Sequence, residues 1–174
     1  MEETTQTQRV YEGRIINLRV DTVRLPSGRE SRREVIEHKG AVCIVPVQDD
    51  GRVLLVRQFR KPAEALLLEV PAGGLEAGES PEECAARELM EECGFRPGSL
   101  VPIYQAFLAP GYSTELMYAF LARDLKPEKL QADDDENIAL ESYSLDELDA
   151  LIDSFQIRDA KTIAAIGCAR RHLK

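Results

Sequence analysis

The chain has 174 residues, 44% hydrophobic and 30% charged, with a formal net charge of −9. That length fits one domain with a sizeable core. The acidic balance argues against generic nucleic-acid binding, which favours a basic surface, and the longest apolar runs, such as residues 41–47, are far too short to span a membrane.

In chain order, the polar opening Met1-Glu2-Glu3-Thr4 carries no signal-peptide core, so a cytoplasmic location is expected. The first eight residues are expected to be disordered. Residues 9–24 and 32–38 alternate well enough for strands, with Pro26-Ser27-Gly28 as the turn between them. Residues 41–47 and 53–58 flank Asp49-Asp50-Gly51, a hairpin signal. A third apolar run, 65–70, feeds directly into Gly73-Gly74.

Ser80, Pro81 and Glu83 then read as N-cap, first helical residue and capping-box glutamate, and Gly94 supplies a left-handed stop. A helix is therefore expected over about 81–93. Beyond it, 100–107 and 116–122 read as strands separated by Ala109-Pro110-Gly111-Tyr112. An acidic loop, Asp133-Asp134-Asp135-Glu136, precedes a strand near 138–144. Ser144 and Glu147 form a second capping box, opening a helix to about 152, and residues 158–171 make a last helix. The order is strands, helix, strands, helices, which predicts an α+β fold: an α/β/α sandwich with a mixed sheet and an N-terminal antiparallel strand region. One domain is expected, with strands over 1–40 and a core over 41–174.

The four cysteines (Cys43, Cys84, Cys93, Cys168) show no CxxC pairing, and His38 and His172 stand far apart. Free thiols are expected, without zinc or disulfides.

At 100° per residue, Ala85, Ala86, Leu89, Met90 and Cys93 share one arc of the 81–93 helix, and Glu88, Glu91 and Glu92 share the opposite one. Like charges at this spacing repel, and within the helix no Lys or Arg stands four residues from Glu88 or Glu92 to offset them. An acidic helix face alone is usually solvated surface. Here Gly73, Gly74 and Gly78 surround Glu76 and Glu79 in a loop that bends back over the helix start, which a solvated face does not need. A hard divalent cation such as Mg²⁺ suits such a carboxylate set, because it prefers carboxylate and phosphate oxygens together. Arg60 adds a fork suited to a phosphate oxygen.

Written as Gly73-x5-Glu79-x7-Arg87-Glu88-Leu89-x-Glu91-Glu92-x-Gly94-Phe95, the segment resembles the signature box of the Nudix hydrolases at every defining position. Arg57-Gln58-Phe59-Arg60, Leu68-Glu69-Val70-Pro71-Ala72-Gly73, and Pro110 and Gly111, with Pro110 lying 15 residues after Phe95, resemble the ADP-ribose pyrophosphatase branch. The resemblance implies Mg²⁺-dependent hydrolysis of ADP-ribose to AMP and ribose 5-phosphate, with Mn²⁺ as a possible substitute. The alternatives are another nucleotide sugar such as GDP-mannose, or a non-catalytic nucleotide sensor. It also implies that the Ala72 carbonyl, Glu88 and Glu92 hold metal, with Glu91 a ligand or a partner of metal water. Arg87 and Glu79 are implied to form an orienting pair. Arg60, Glu69, Arg57, Pro110 and Gly111 are placed at the substrate, and Glu136 is implied as the base, ahead of Asp134 and Glu115. Arg29, Arg32, Arg33 and Tyr11 are candidates for the nucleobase. A homodimer formed through the N-terminal strands is implied as well, with neither nucleic acid nor membrane as partner.

Overall fold

The computed structural model describes residues 1–131 and 138–173. Its contacts divide the chain into two compact units, Met1–Gly40 with Ala106–Met117, and Ala41–Gln105 with Tyr118–Lys174.

In the first unit, β1 (Glu3–Glu12), β2 (Asn17–Arg24) and β3 (Glu30–Glu37) form an antiparallel sheet in that order. The expected 9–24 strand is therefore two strands. Gly13 N–H donates to Ile16 O at 3.0 Å and reverses the chain between them. The expectation of a disordered start is also corrected: β1 pairs with β2 from Glu3 onward. Every β1 residue is exposed, so the strand carries no apolar alternation and is held by backbone pairing and by polar side-chain contacts such as Thr7 Oγ1 donating to Asp21 Oδ1 at 2.8 Å. The turn around Pro110 and Gly111 belongs to this unit and closes through Tyr112 N–H to Ala109 O at 3.1 Å.

The second unit begins with β4 (Ala41–Pro46), β5 (Val53–Arg60), β6 (Ala65–Glu69) and β7 (Ala72–Gly74), which lead into α1 (Pro81–Glu88). Short β8 (Phe95–Arg96), β9 (Ser99–Phe107), β10 (Leu116–Arg123), short β11 (Lys126–Pro127) and β12 (Ala139–Tyr143) follow, then α2 (Leu145–Asp153) and α3 (Ala160–Ala169). The main sheets run β7-β4-β10-β9 and β12-β5-β6. Asp49-Asp50-Gly51 does make a tight turn, but the strands it joins enter different sheets and meet only at the Val47–Val53 bridge.

All six residues of β4 are buried, and their period of two explains why. Val42 and Ile44 pack with Cys84, Ala85 and Leu89 of the 81–93 helix. Cys43, on the other face, lies 3.5 Å from the Tyr104 hydroxyl, which itself donates to Lys161 O of α3 at 3.3 Å. Helices thus cover both faces of β4, giving the α/β/α layering of an α+β fold.

Both capping boxes form as the sequence predicts, at Ser80/Glu83 and Ser144/Glu147. Gly94 adopts φ 74°, a left-handed value that glycine takes without Cβ strain. The helix ends where expected, yet its last five residues, Leu89–Cys93, are π-helical. Such wide turns gather at functional sites. The wheel is corrected too: Cys84 is fully buried, while Met90 is not. Glu88 and Glu92, expected on an outer arc, are each only 9% exposed. Gly73 lies against Glu88, and the Ala72 N–H donates to Glu92.

Candidate active site

β7 runs antiparallel to β4, with Cys43 opposite Ala72 and Val42 opposite Gly73. This pairing lays the loop along the 81–93 helix. Gly73 fits only because it lacks a Cβ: an added one stands 1.8 Å from Glu88 Oε1. One helical turn on, Glu92 Oε2 accepts the Ala72 N–H at 3.0 Å. Ala72, Glu88 and Glu92, read from sequence as one set, are therefore brought together.

Arg87 organises the remaining acids. Its Nε and Nη2 donate to the two oxygens of Glu79 at 2.8 and 3.0 Å. Nη1 reaches Glu88 Oε1 at 2.7 Å and Glu91 Oε2 at 2.9 Å, and Nη2 also donates to Gly74 O at 3.2 Å. Arg87 thus offsets part of the repulsion, reaching Glu88 from the adjacent position rather than from four residues away. The bidentate pair holds the Glu79 carboxyl down to about 2. In return its hydrogen bonds to Glu79, then the charge of Glu88, raise Arg87. Burial pushes the Cys84 thiol up to about 12, so this neighbour is a neutral spacer.

A cavity of about 270 Å³ opens here, lined by Ala72, Gly73, Gly74, Glu76, Arg87, Glu88 and Glu91. Among the described residues, no three His, Cys, Asp or Glu side chains already converge as a metal cluster; the acids are turned to Arg87 and to backbone N–H instead. The donors lining the cavity are carboxylates and backbone carbonyls, with no imidazole or thiolate. That set fits a hard, oxygen-seeking divalent cation rather than zinc or copper.

Arg60, at the end of β5, makes a bidentate pair with Glu69 at 3.0 and 2.9 Å. Glu69 is 1% exposed at the end of β6, three residues before Ala72. Its second cation is Lys161 Nζ, a partner that sequence reasoning missed. Lys161 comes from α3, 92 residues away, and no local pattern links the two. Arg57 is committed to Glu141 of β12 at 2.5 and 3.1 Å, and Tyr143 also binds that carboxylate. Pro110, Gly111 and Glu115 belong to the first unit, as do Arg29, Arg32, Tyr11 and Arg33, the last paired with Glu2. Glu136 and Asp134 lie outside the described residues.

The Nudix domain matches residues 37–166. The chain belongs to the Nudix hydrolase family. A nucleoside diphosphate sugar hydrolase N-terminal domain matches residues 2–36. The chain is 40% identical over 167 residues to the ADP-ribose pyrophosphatase of Bacillus subtilis, covering 95% of this chain and 90% of that protein. To the methanol dehydrogenase activator of Bacillus methanolicus it is 36% identical over 167 residues, with the same coverage, 95% and 90%. A solved structure described as an ADP compounds hydrolase superposes with a TM-score of 0.89 at 27% identity, covering 99% of this chain and 94% of that one. The expected Nudix fold is therefore the observed one. Nudix hydrolases generally use divalent metal ions, which agrees with a cavity that offers carboxylates and neither imidazole nor thiolate. No helix among the described residues is long and apolar enough to cross a membrane.

Proposed function

We propose that this Nudix hydrolase cleaves the diphosphate bond of ADP-ribose to AMP and ribose 5-phosphate, using Mg²⁺, as a cytoplasmic homodimer. The observation that carries the reading is the carboxylate-lined cavity in which Glu88 lies on Gly73, with Glu92 reaching the Ala72 N–H one helical turn on. The N-terminal match to nucleoside diphosphate sugar hydrolases supports the substrate class.

In this reading the Ala72 carbonyl, Glu88 and Glu92 would hold Mg²⁺, with Glu91 a further ligand or a partner of metal water. What a divalent cation supplies there is Lewis acidity, which offsets diphosphate charge and acidifies water. Arg87 orients three carboxylates at once, so the cavity is pre-shaped before substrate arrives. Arg60 presents a planar fork for a phosphate oxygen and rests on Glu69. Arg57, Pro110 and Gly111 contact the substrate on the strength of the family pattern. Glu136 takes the proton of the attacking water.

Glu92→Gln keeps the shape and removes one anionic ligand. It is expected to cut ADP-ribose turnover by at least about 10²-fold, a loss typical of removing one stabilising group at a transition state. Undiminished turnover contradicts the metal-site reading. Faster turnover of GDP-mannose than ADP-ribose by the wild-type protein keeps the chemistry and changes the substrate.

A further inference from the structure

The Glu69 carboxylate lies between two cations that differ in access. The Arg60 side chain is 37% exposed and that of Lys161 only 10%. Burial by itself raises the Glu69 carboxyl, but Arg60 and Lys161 together hold it below the ordinary carboxylate range. Lys161 is anchored in turn. Asp159 Oδ2 accepts from its Nζ at 2.9 Å and from the Thr162 N–H, at the start of α3, at 3.0 Å. Thr162 Oγ1 accepts the Val70 N–H at 2.9 Å, so the first turn of α3 grips residues 69 and 70 through both side chain and backbone.

We propose that Lys161 is a positioning residue for the hydrolysis: it keeps Glu69 compensated so that Arg60 can leave it for a phosphate oxygen of the substrate. This rests on the reading of Arg60 as the phosphate fork. A buried carboxylate stripped of its last cation is strongly unfavourable. With Arg60 as its single partner, Glu69 would therefore hold the guanidinium and withhold it from substrate. Lys161 removes that conflict. Its ammonium is a point charge, little exposed and tied to Asp159, while the planar fork is the group suited to bidentate phosphate binding.

The test is a double-mutant cycle on KM and kcat for ADP-ribose with Mg²⁺. Lys161→Met is expected to raise KM about tenfold or more, within the range for truncating one side of a buried charge pair. Its kcat is expected to change less than about threefold, since the proposed contact is made on binding. Lys161→Arg, which keeps the charge, is expected to restore KM to within about threefold. In an Arg60→Ala background Lys161→Met adds nothing further to KM, because the residue it acts through is gone. An unchanged KM in Lys161→Met, or an equal rise in both backgrounds, overturns the inference. If Lys161→Met fails to fold by circular dichroism, Lys161→Gln takes its place in the cycle, and an equal defect in Lys161→Arg and Lys161→Gln overturns it. Wild-type protein indifferent to Arg60→Ala overturns the phosphate reading together with this inference. A normal Arg60→Ala defect with an indifferent Lys161 variant overturns the inference alone.

Discussion

Gly73→Ala probes how closely the loop lies on the helix. The added Cβ would stand 1.8 Å from Glu88 Oε1, 1.9 Å from Cδ and 2.3 Å from Oε2, where real contacts essentially never fall below 3.0 Å. The carboxylate must therefore retreat by about 1.2 Å, or the loop must lift off the helix. Retreat is resisted, because Glu88 is 9% exposed and its Oε1 is held by Arg87 at 2.7 Å. Gly73 is not among the residues with positive φ, so alanine costs nothing in backbone conformation there. The damage should fall on the site rather than on the fold. A displacement of about 1 Å at a reacting centre costs on the order of 10²-fold in rate, or about 2.7 kcal/mol of barrier. Gly73→Ala is expected to lose about 10²-fold in kcat/KM for ADP-ribose and to bind Mg²⁺ more weakly by calorimetric titration. The thermal midpoint should move by no more than a few degrees. A kcat/KM within about threefold of wild type, with unchanged Mg²⁺ affinity, refutes the reasoning.

Two further outcomes follow from the hydrogen bonds. Arg87 lowers the Glu79 carboxyl from 4.5 to about 2, so this pair contributes stability above pH 4.5 that is lost as pH falls through about 2. Glu79→Gln should cost about 1 kcal/mol at pH 7 after allowing for solvent screening, with the deficit shrinking below pH 4.5 in urea titrations; a deficit constant from pH 7 to 2.5 contradicts this. Thr162→Val leaves the Val70 N–H without its acceptor in a fully buried position. It should cost about 1–3 kcal/mol by denaturant unfolding, and a neutral result means that the α3 grip on residues 69–70 is dispensable.

What was legible in the sequence was local. Ser80, Glu83 and Gly94 fix the helix ends through contacts within four residues, and β5, β6, β9 and β10 follow from short apolar runs. The 100° wheel misassigned Glu88 and Glu92 because their burial comes from a loop laid over the helix, which periodicity does not encode, and because the last turn is π-helical. Polar β1 carried no apolar alternation to mark it as a strand. Lys161 was hidden by distance along the chain, since only the tertiary fold brings it to Glu69. Arg60 was legible as a candidate for a phosphate oxygen, but its resting partner Glu69 was not.

In the proposed reaction the carboxylates of the 73–95 segment serve Mg²⁺-dependent cleavage of a nucleoside diphosphate sugar. Its most direct test is product analysis on ADP-ribose, GDP-mannose, NADH and a diadenosine polyphosphate, each with Mg²⁺ and with chelator. AMP and ribose 5-phosphate are expected in equal amounts from ADP-ribose, with the highest kcat/KM on that substrate and no turnover with chelator. Preference for the dinucleoside polyphosphate, or turnover that survives metal removal, contradicts it.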